Sequence, residues 1–239
     1  MPNRTGTFVL VHGAWSGGWC YHKVADRLRS KGYRVFTPTL TGQGERSHLT
    51  VGTINLSVHL TDVMNVFHYE GLDDVVLAGH SYGGMVITGV GDRIPNKVCA
   101  LVYLDAFLPE NDQSLFDINI PANSQRFIQG AGSVGGLAVP APPAAYFNVN
   151  AHDAARVDAL ATPFPIGCFT EKIKLTGAHK TIGKHIYVHS TILSRESPFK
   201  PFYDRVKDDP AWHAHTLACG HDAMLDMPDE TAAILEGAL

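Results

Sequence analysis

A serine stands at the centre of Gly79-His80-Ser81-Tyr82-Gly83, directly after the apolar run Val75-Val76-Leu77-Ala78. A hydroxyl is a weak nucleophile at neutral pH and needs a base within hydrogen-bond reach. The G-x-S-x-G spacing sets the serine on a sharp strand-to-helix turn, where the chain on either side comes too close for side chains at Gly79 and Gly83. A strand before it and a helix after it separate this motif from a surface serine in a glycine-rich turn. The helix starting past Ser81 also points the positive end of its dipole at the site. The chemistry these residues suit is acyl transfer through Ser81.

The matching base comes last in the chain in such an arrangement, just past the final strand. His221 stands there, in Cys219-Gly220-His221-Asp222-Ala223-Met224-Leu225. His213 and His215 fall inside the strand, and the side chain of His80 is expected to turn into the sheet layer beside the serine. The oxyanion of a tetrahedral intermediate needs two preorganised donors. One is the N–H of Tyr82, the residue after the nucleophile. The other is expected from the loop His12-Gly13-Ala14-Trp15, at the N–H of Ala14. Plain turn chemistry is the alternative for His12-Gly13, but the loop's place at a strand end favours the functional one.

These groups must be held by regular elements. Thr7 to Val11 is a continuous apolar run, as in a strand buried on both faces. Further strands are expected at Tyr33–Phe36, Asp73–Ala78, Val98–Leu104, His185–His189 and Trp212–Leu217. Helices are expected at Tyr21–Ser30, Asn55–Glu70, Gly84–Asp92, Phe199–Lys207 and Asp229–Leu239; in the second, Leu56, Leu60, Val63, Met64 and Phe67 share one face. Strands alternating with helices imply a largely parallel, doubly wound sheet whose ligand site lies at the C-terminal strand ends. The alternation fails after Leu108, in a Pro- and Gly-rich stretch that includes Pro140-Ala141-Pro142-Pro143. Its aromatics are too many for a disordered linker. The expected organisation is therefore an α/β core of residues 1–108 and 184–239, with a cap of residues 109–183 inserted over the strand ends.

Composition narrows the function classes. The 239 residues carry a net charge of −4 with no basic or acidic block, which argues against nucleic acid and a polybasic membrane contact. The start of the chain is a short polar lead into a strand, with no signal-peptide pattern, and no apolar run is long enough to span a bilayer. Cys20, Cys99, Cys168 and Cys219 form no CxxC pair and read as free thiols of a reducing, cytoplasmic setting.

At these stretches the chain resembles the α/β-hydrolase superfamily, in the small esterase branch of plant methyl esterases, hydroxynitrile lyases and bacterial pyrethroid- and carbamate-type hydrolases. The resemblance rests on Val9 to Trp15, Thr39 to Arg46, Gly79 to Gly84, Leu101 to Pro109 and Gly220 to Leu225. It implies an α/β-hydrolase fold and a Ser-His-acid triad without cofactor or metal. The family's acid usually follows the strand that here is Ile186 to His189, where this chain offers Ser190-Thr191-Ile192-Leu193-Ser194 and then only Glu196. Asp105 ends the preceding strand, where the plant relatives tend to have a small or neutral residue, and it faces the same site. A triad is defined by geometry and role, so the acid is expected to have migrated to Asp105. Capping of the next turn is the plainer role for Asp105. The lyases carry a lysine after the histidine and a hydroxyl residue at Gly13; Asp222 and Gly13 stand there instead, which argues against cyanohydrin cleavage.

The expected function is a serine esterase acting on a small, mostly apolar ester, with Trp15, Tyr82, Phe107, Leu108 and Met224 on the pocket wall. Core packing is the equal alternative for each of those five. A carbamate, lactone or amide hydrolase would use the same machinery. A small-ligand receptor on the same scaffold is the alternative of another class, and fold analogy does not decide between them. The partner expected is a small molecule, with no membrane or nucleic acid; a homodimer is compatible with the chain, and oligomeric state stays open.

Overall fold

A computed structural model describes residues 6–239 of the chain. Most of the polar lead expected at the N-terminus lies outside the described residues. Strands β1 (Thr7–Val11), β2 (Arg34–Phe36), β3 (Val75–His80) and β4 (Val98–Leu104) come first, around helices α1 (His22–Ser30), α2 (Leu56–Tyr69) and α3 (Gly83–Arg93). The middle of the chain holds α4 (Leu115–Ile118), α5 (Pro121–Ser133), β5 (Ala138–Val139), α6 (Ala151–Leu160), β6 (Phe164–Pro165) and α7 (Gly167–Thr170). β7 (Lys184–Ser190), α8 (Lys200–Val206), β8 (Trp212–Leu217), α9 (Ala223–Asp226) and α10 (Pro228–Glu236) complete it.

Six strands form one parallel sheet in the order β2-β1-β3-β4-β7-β8. Every residue of β3 is buried, as a central strand covered on both faces requires. One apolar layer joins the sheet to α1 and α10 through Val24, Leu28 and Leu235; the other joins it to α2, α3 and α8 through Leu60, Met85 and Phe202. Chain direction across the sheet reverses between β1 and β3. This switch point opens a crevice at their C-terminal ends, and the loops leaving those two strands carry Ala14 and Ser81.

The helix and strand expectations hold to within two residues, except that α10 ends at Glu236, three short of the expected Leu239; β3 runs on through Gly79 and His80. Those residues look turn-like in sequence, yet Gly79 pairs with Val11 on one side and Tyr103 on the other. The 109–183 stretch is more regular than its Pro and Gly content suggests: it carries α5 and α6, and β5 pairs antiparallel with β6. Trp15 ties the β1 loop to this stretch, its Nε1 donating to the Val139 carbonyl at 3.0 Å and its own carbonyl accepting from Thr162 N–H at 3.0 Å. Among the described residues no helix is long and apolar enough to cross a membrane.

Candidate active site

Ser81 sits between β3 and α3 with φ of 54°, in the left-handed region that non-glycine residues avoid. Three backbone bonds lock the turn: Ser81 N–H donates to Leu104 O at 3.3 Å, and Ser81 O accepts from Gly84 N–H at 3.0 Å and Phe107 N–H at 3.1 Å. The flanking glycines are required by close approach. A Cβ on Gly79 would lie 2.5 Å from Gly83 O, and one on Gly83 would lie 2.7 Å from Val11 O.

His221 is held on every side. Its N–H donates to Phe147 O at 2.9 Å, and the preceding Gly220 passes so near Asn148 that a Cβ would come within 2.2 Å of the Asn148 carbonyl. The imidazole lies between two rings, Phe199 at 4.7 Å and 8° and Phe147 at 5.5 Å and 27°. Its Nδ1 is 2.7 Å from Asp105 Oδ2. A carboxylate only accepts, so the proton sits on Nδ1 and Nε2 keeps a free lone pair.

Asp105 follows β4 with φ of 42°. Its second oxygen, Oδ1, accepts from His189 Nδ1 at 2.9 Å and from Ser190 N–H at 3.1 Å. Burial alone would push the carboxyl pKa up, but the hydrogen bonds from His189 and His221 outweigh it and leave Asp105 below the usual carboxylate range. Glu196 is exposed, and its carboxylate has no hydrogen-bond or ionic partner among the described residues.

The two expected oxyanion donors are free to act. Neither Ala14 N–H nor Tyr82 N–H donates to another group among the described residues. His12 shapes the first loop: its Nε2 accepts from Leu40 N–H at 3.0 Å, and its Nδ1 donates to Gly13 O at 2.7 Å. Burial holds its pKa down at about 4, so the ring is neutral. The Tyr82 hydroxyl donates to His59 Nδ1 at 3.0 Å, and His59 Nε2 donates to Thr41 O at 2.9 Å.

Ser81 and His221 line a bilobed cavity, together with Ala14, Trp15 and Phe147. One lobe is walled by aromatics including Phe107, Phe127, Phe169 and Phe199. The other is lined by Ser16, Trp19, His80, Val157 and Asp222. Among the described residues no cluster of three or more His, Cys, Asp or Glu could hold a metal.

The sequence matches the alpha/beta hydrolase family over residues 8–234. The chain belongs to that family. It is similar to a carbendazim hydrolyzing esterase of Nocardioides sp., at 43% identity over 94% of this chain and 96% of that one. Methylesterase 10 of Arabidopsis thaliana is 36% identical over 44% of this chain and 38% of its own length. Among solved structures, an extracellular alpha/beta-hydrolase from a Paenibacillus species superimposes with a TM-score of 0.83 at 24% identity, covering 98% of each chain. A pyrethroid hydrolase from Sphingobium faniae superimposes at 0.79 and 21%, again covering 98% of each, and both likenesses speak to the fold.

Three residues of this hydrolase sit elsewhere than expected. Met224 is fully buried in the core under α9, and Leu108 is buried at the foot of α8, so neither lines the cavity at Ser81. A one-turn helix offers too few residues for its periodicity to tell a core face from a pocket face. His80 does not enter the sheet layer: its ring lies 4.3 Å from that of His221, and its Nε2 donates to the His221 carbonyl at 3.0 Å. Burial lowers its pKa well below the ordinary value, so it stays uncharged beside His221. Phe147 is one of the aromatics that the sequence shows in the insertion, whereas Phe199 and His189 carried no signal. His189 could have been found only from the pairing of β4 with β7, in which Leu104 faces Val188.

Proposed function

We propose that this hydrolase cleaves a small carboxylic ester through a covalent acyl-enzyme on Ser81. The observation that carries the reading is the 2.7 Å bond from His221 Nδ1 to the buried Asp105 carboxylate, on a histidine that shares its cavity with the strained Ser81. With Nδ1 committed, His221 Nε2 takes the Ser81 proton as the hydroxyl oxygen attacks the ester carbonyl. The N–H groups of Ala14 and Tyr82 receive the oxyanion. Collapse expels the alcohol, which takes its proton from His221, and a water repeats the steps to free the acid. Asp105 stays ionised and keeps the imidazole in the productive tautomer.

The aromatic lobe supports a mostly apolar group on one side of the scissile bond. The name of the Nocardioides relative supports an ester-hydrolysing role for this chain as well. The four cysteines are free, which suits a reducing cytoplasm.

The test is labelling and turnover. A fluorophosphonate should modify Ser81 alone, and p-nitrophenyl acetate should give a burst that Ser81→Ala abolishes. No label and no burst would favour a ligand receptor on this scaffold.

A further inference from the structure

The lobe holding Asp222 contains polar groups with nothing to bind. The Asp222 carboxylate is half-buried and makes no hydrogen bond or ion pair among the described residues. It begins α9 without capping it. His80 is 3% exposed, and its Nδ1 has no partner; because Nε2 spends its proton on the His221 carbonyl, Nδ1 is a bare acceptor. The indole N–H of Trp19, also on this lobe, is buried and unpaired. Buried polar atoms without partners cost stability and are few in native proteins. Two such atoms and a half-buried carboxylate without a partner on one wall, in the cavity that holds Ser81, mark a place where a ligand completes the bonding.

We propose that this lobe is a polar subsite in which Asp222 accepts a hydrogen bond from an N–H group of the substrate, so that the preferred esters carry a nitrogen donor close to the scissile carbonyl. Two of the three free groups accept, and the strongest is an anion; an N–H donor satisfies it, whereas an ether oxygen or methyl group leaves it bare and desolvated. Burial raises the Asp222 carboxyl to about 6, and the nearby His221 opposes that rise. Near neutral pH the group is thus a poorly solvated carboxylate, an acceptor that gains most from a donor. The proposal deepens the esterase reading: the aromatic lobe holds the apolar part and the Asp222 lobe the nitrogen-bearing part.

The experiment measures binding without turnover, in the Ser81→Ala protein, by calorimetry. Two matched ligand pairs are used: methyl N-phenylcarbamate and methyl N-phenylglycinate, each against its N-methyl counterpart. The N–H ligand of at least one pair should bind more tightly than its counterpart. In Ser81→Ala/Asp222→Leu that preference should collapse by roughly 10- to 100-fold, as expected for a hydrogen bond to a charged group. Asp222→Asn keeps an oxygen acceptor but loses the charge, and should retain part of the preference; it also serves if the leucine variant fails to fold. A preference that is absent in both pairs, or that survives both substitutions, overturns the proposal. Fluorophosphonate labelling of the parent protein runs alongside. A labelled Ser81 with no N–H preference sinks the subsite alone, whereas a collapsed preference without labelling keeps the subsite and sinks the serine chemistry.

Discussion

Two carboxylates flank His221, and their surroundings are opposite. Asp105 accepts from His221, His189 and the Ser190 N–H, and its pKa is driven down. Asp222, one residue along the chain from the same histidine, accepts from nothing and is driven up to about 6. Asp105 is the more deeply buried of the two, so burial alone would order them the other way. The difference is the number of aligned donors. Asp105 closes a strand in the middle of a parallel sheet, where the neighbouring strand delivers a backbone N–H and an imidazole at fixed register. Asp222 opens a one-turn helix beside a cavity, where no donor among the described residues bonds to it. A carboxylate with donors can orient an imidazole, and one without them is left free for a ligand.

The comparison can be broken first at Asp105. Asp105→Asn should lower kcat on p-nitrophenyl acetate by about a thousand- to ten-thousand-fold, as loss of a triad acid does elsewhere. A drop under tenfold would remove Asp105 from the role. The next largest effect is expected at His189. His189→Phe keeps a ring against Tyr203, which stacks on it at 5.4 Å, but removes one donor from Asp105. Asp105 has a folded-state pKa below its unfolded value, so its stabilising effect is present above the unfolded pKa and is lost as pH falls through the folded one. Losing the His189 donor should raise that folded pKa, shift the acid-unfolding midpoint to higher pH, and cost about 1–2 kcal/mol at pH 7. An unchanged midpoint would show that His189 merely fills space.

Asp222 should respond with the reverse sign. Its folded pKa lies above its unfolded value, so the native state loses stability as pH rises from near 4 through about 6. Asp222→Asn should therefore stabilise the protein at pH 8, by about 1–2 kcal/mol after allowing for partial exposure, or roughly 2–8 °C in Tm. The gain should vanish near pH 4. An equal gain at both pH values would mean the carboxylate is not the source. The smallest effect belongs to Glu196→Gln, on the exposed loop after β7. It should change kcat less than about twofold, since surface charges remote from the reacting atoms carry little energy.

Much of this architecture is written in local pattern. The apolar runs at Thr7–Val11, Val75–Ala78 and Val98–Leu104 can only be central strands of a covered sheet, and the glycines around Ser81 mark a crowded turn. The position of Asp105 is readable because a strand end has a known address in such a sheet. What could not be read is set by contacts distant in sequence. His189 meets Asp105 only through the register of β4 on β7. The rings flanking His221 come from two separate segments; the insertion's aromatics were legible, but not that Phe147 and Phe199 would both meet this histidine. His80 leaves the expected sheet layer because its ring and Nε2 meet His221, a partner from far along the chain.

The clamp on His221 has a cost for anyone who would re-engineer this enzyme. Phe147 and Asn148 sit in the inserted stretch, yet they fix the ring and backbone of a residue near the opposite end of the chain. A foreign insertion grafted here to change selectivity must reproduce that one rung of contacts. Otherwise the graft brings a new pocket and a loosened imidazole together, and a library screened on rate alone will discard good pockets for a fault in their hinge.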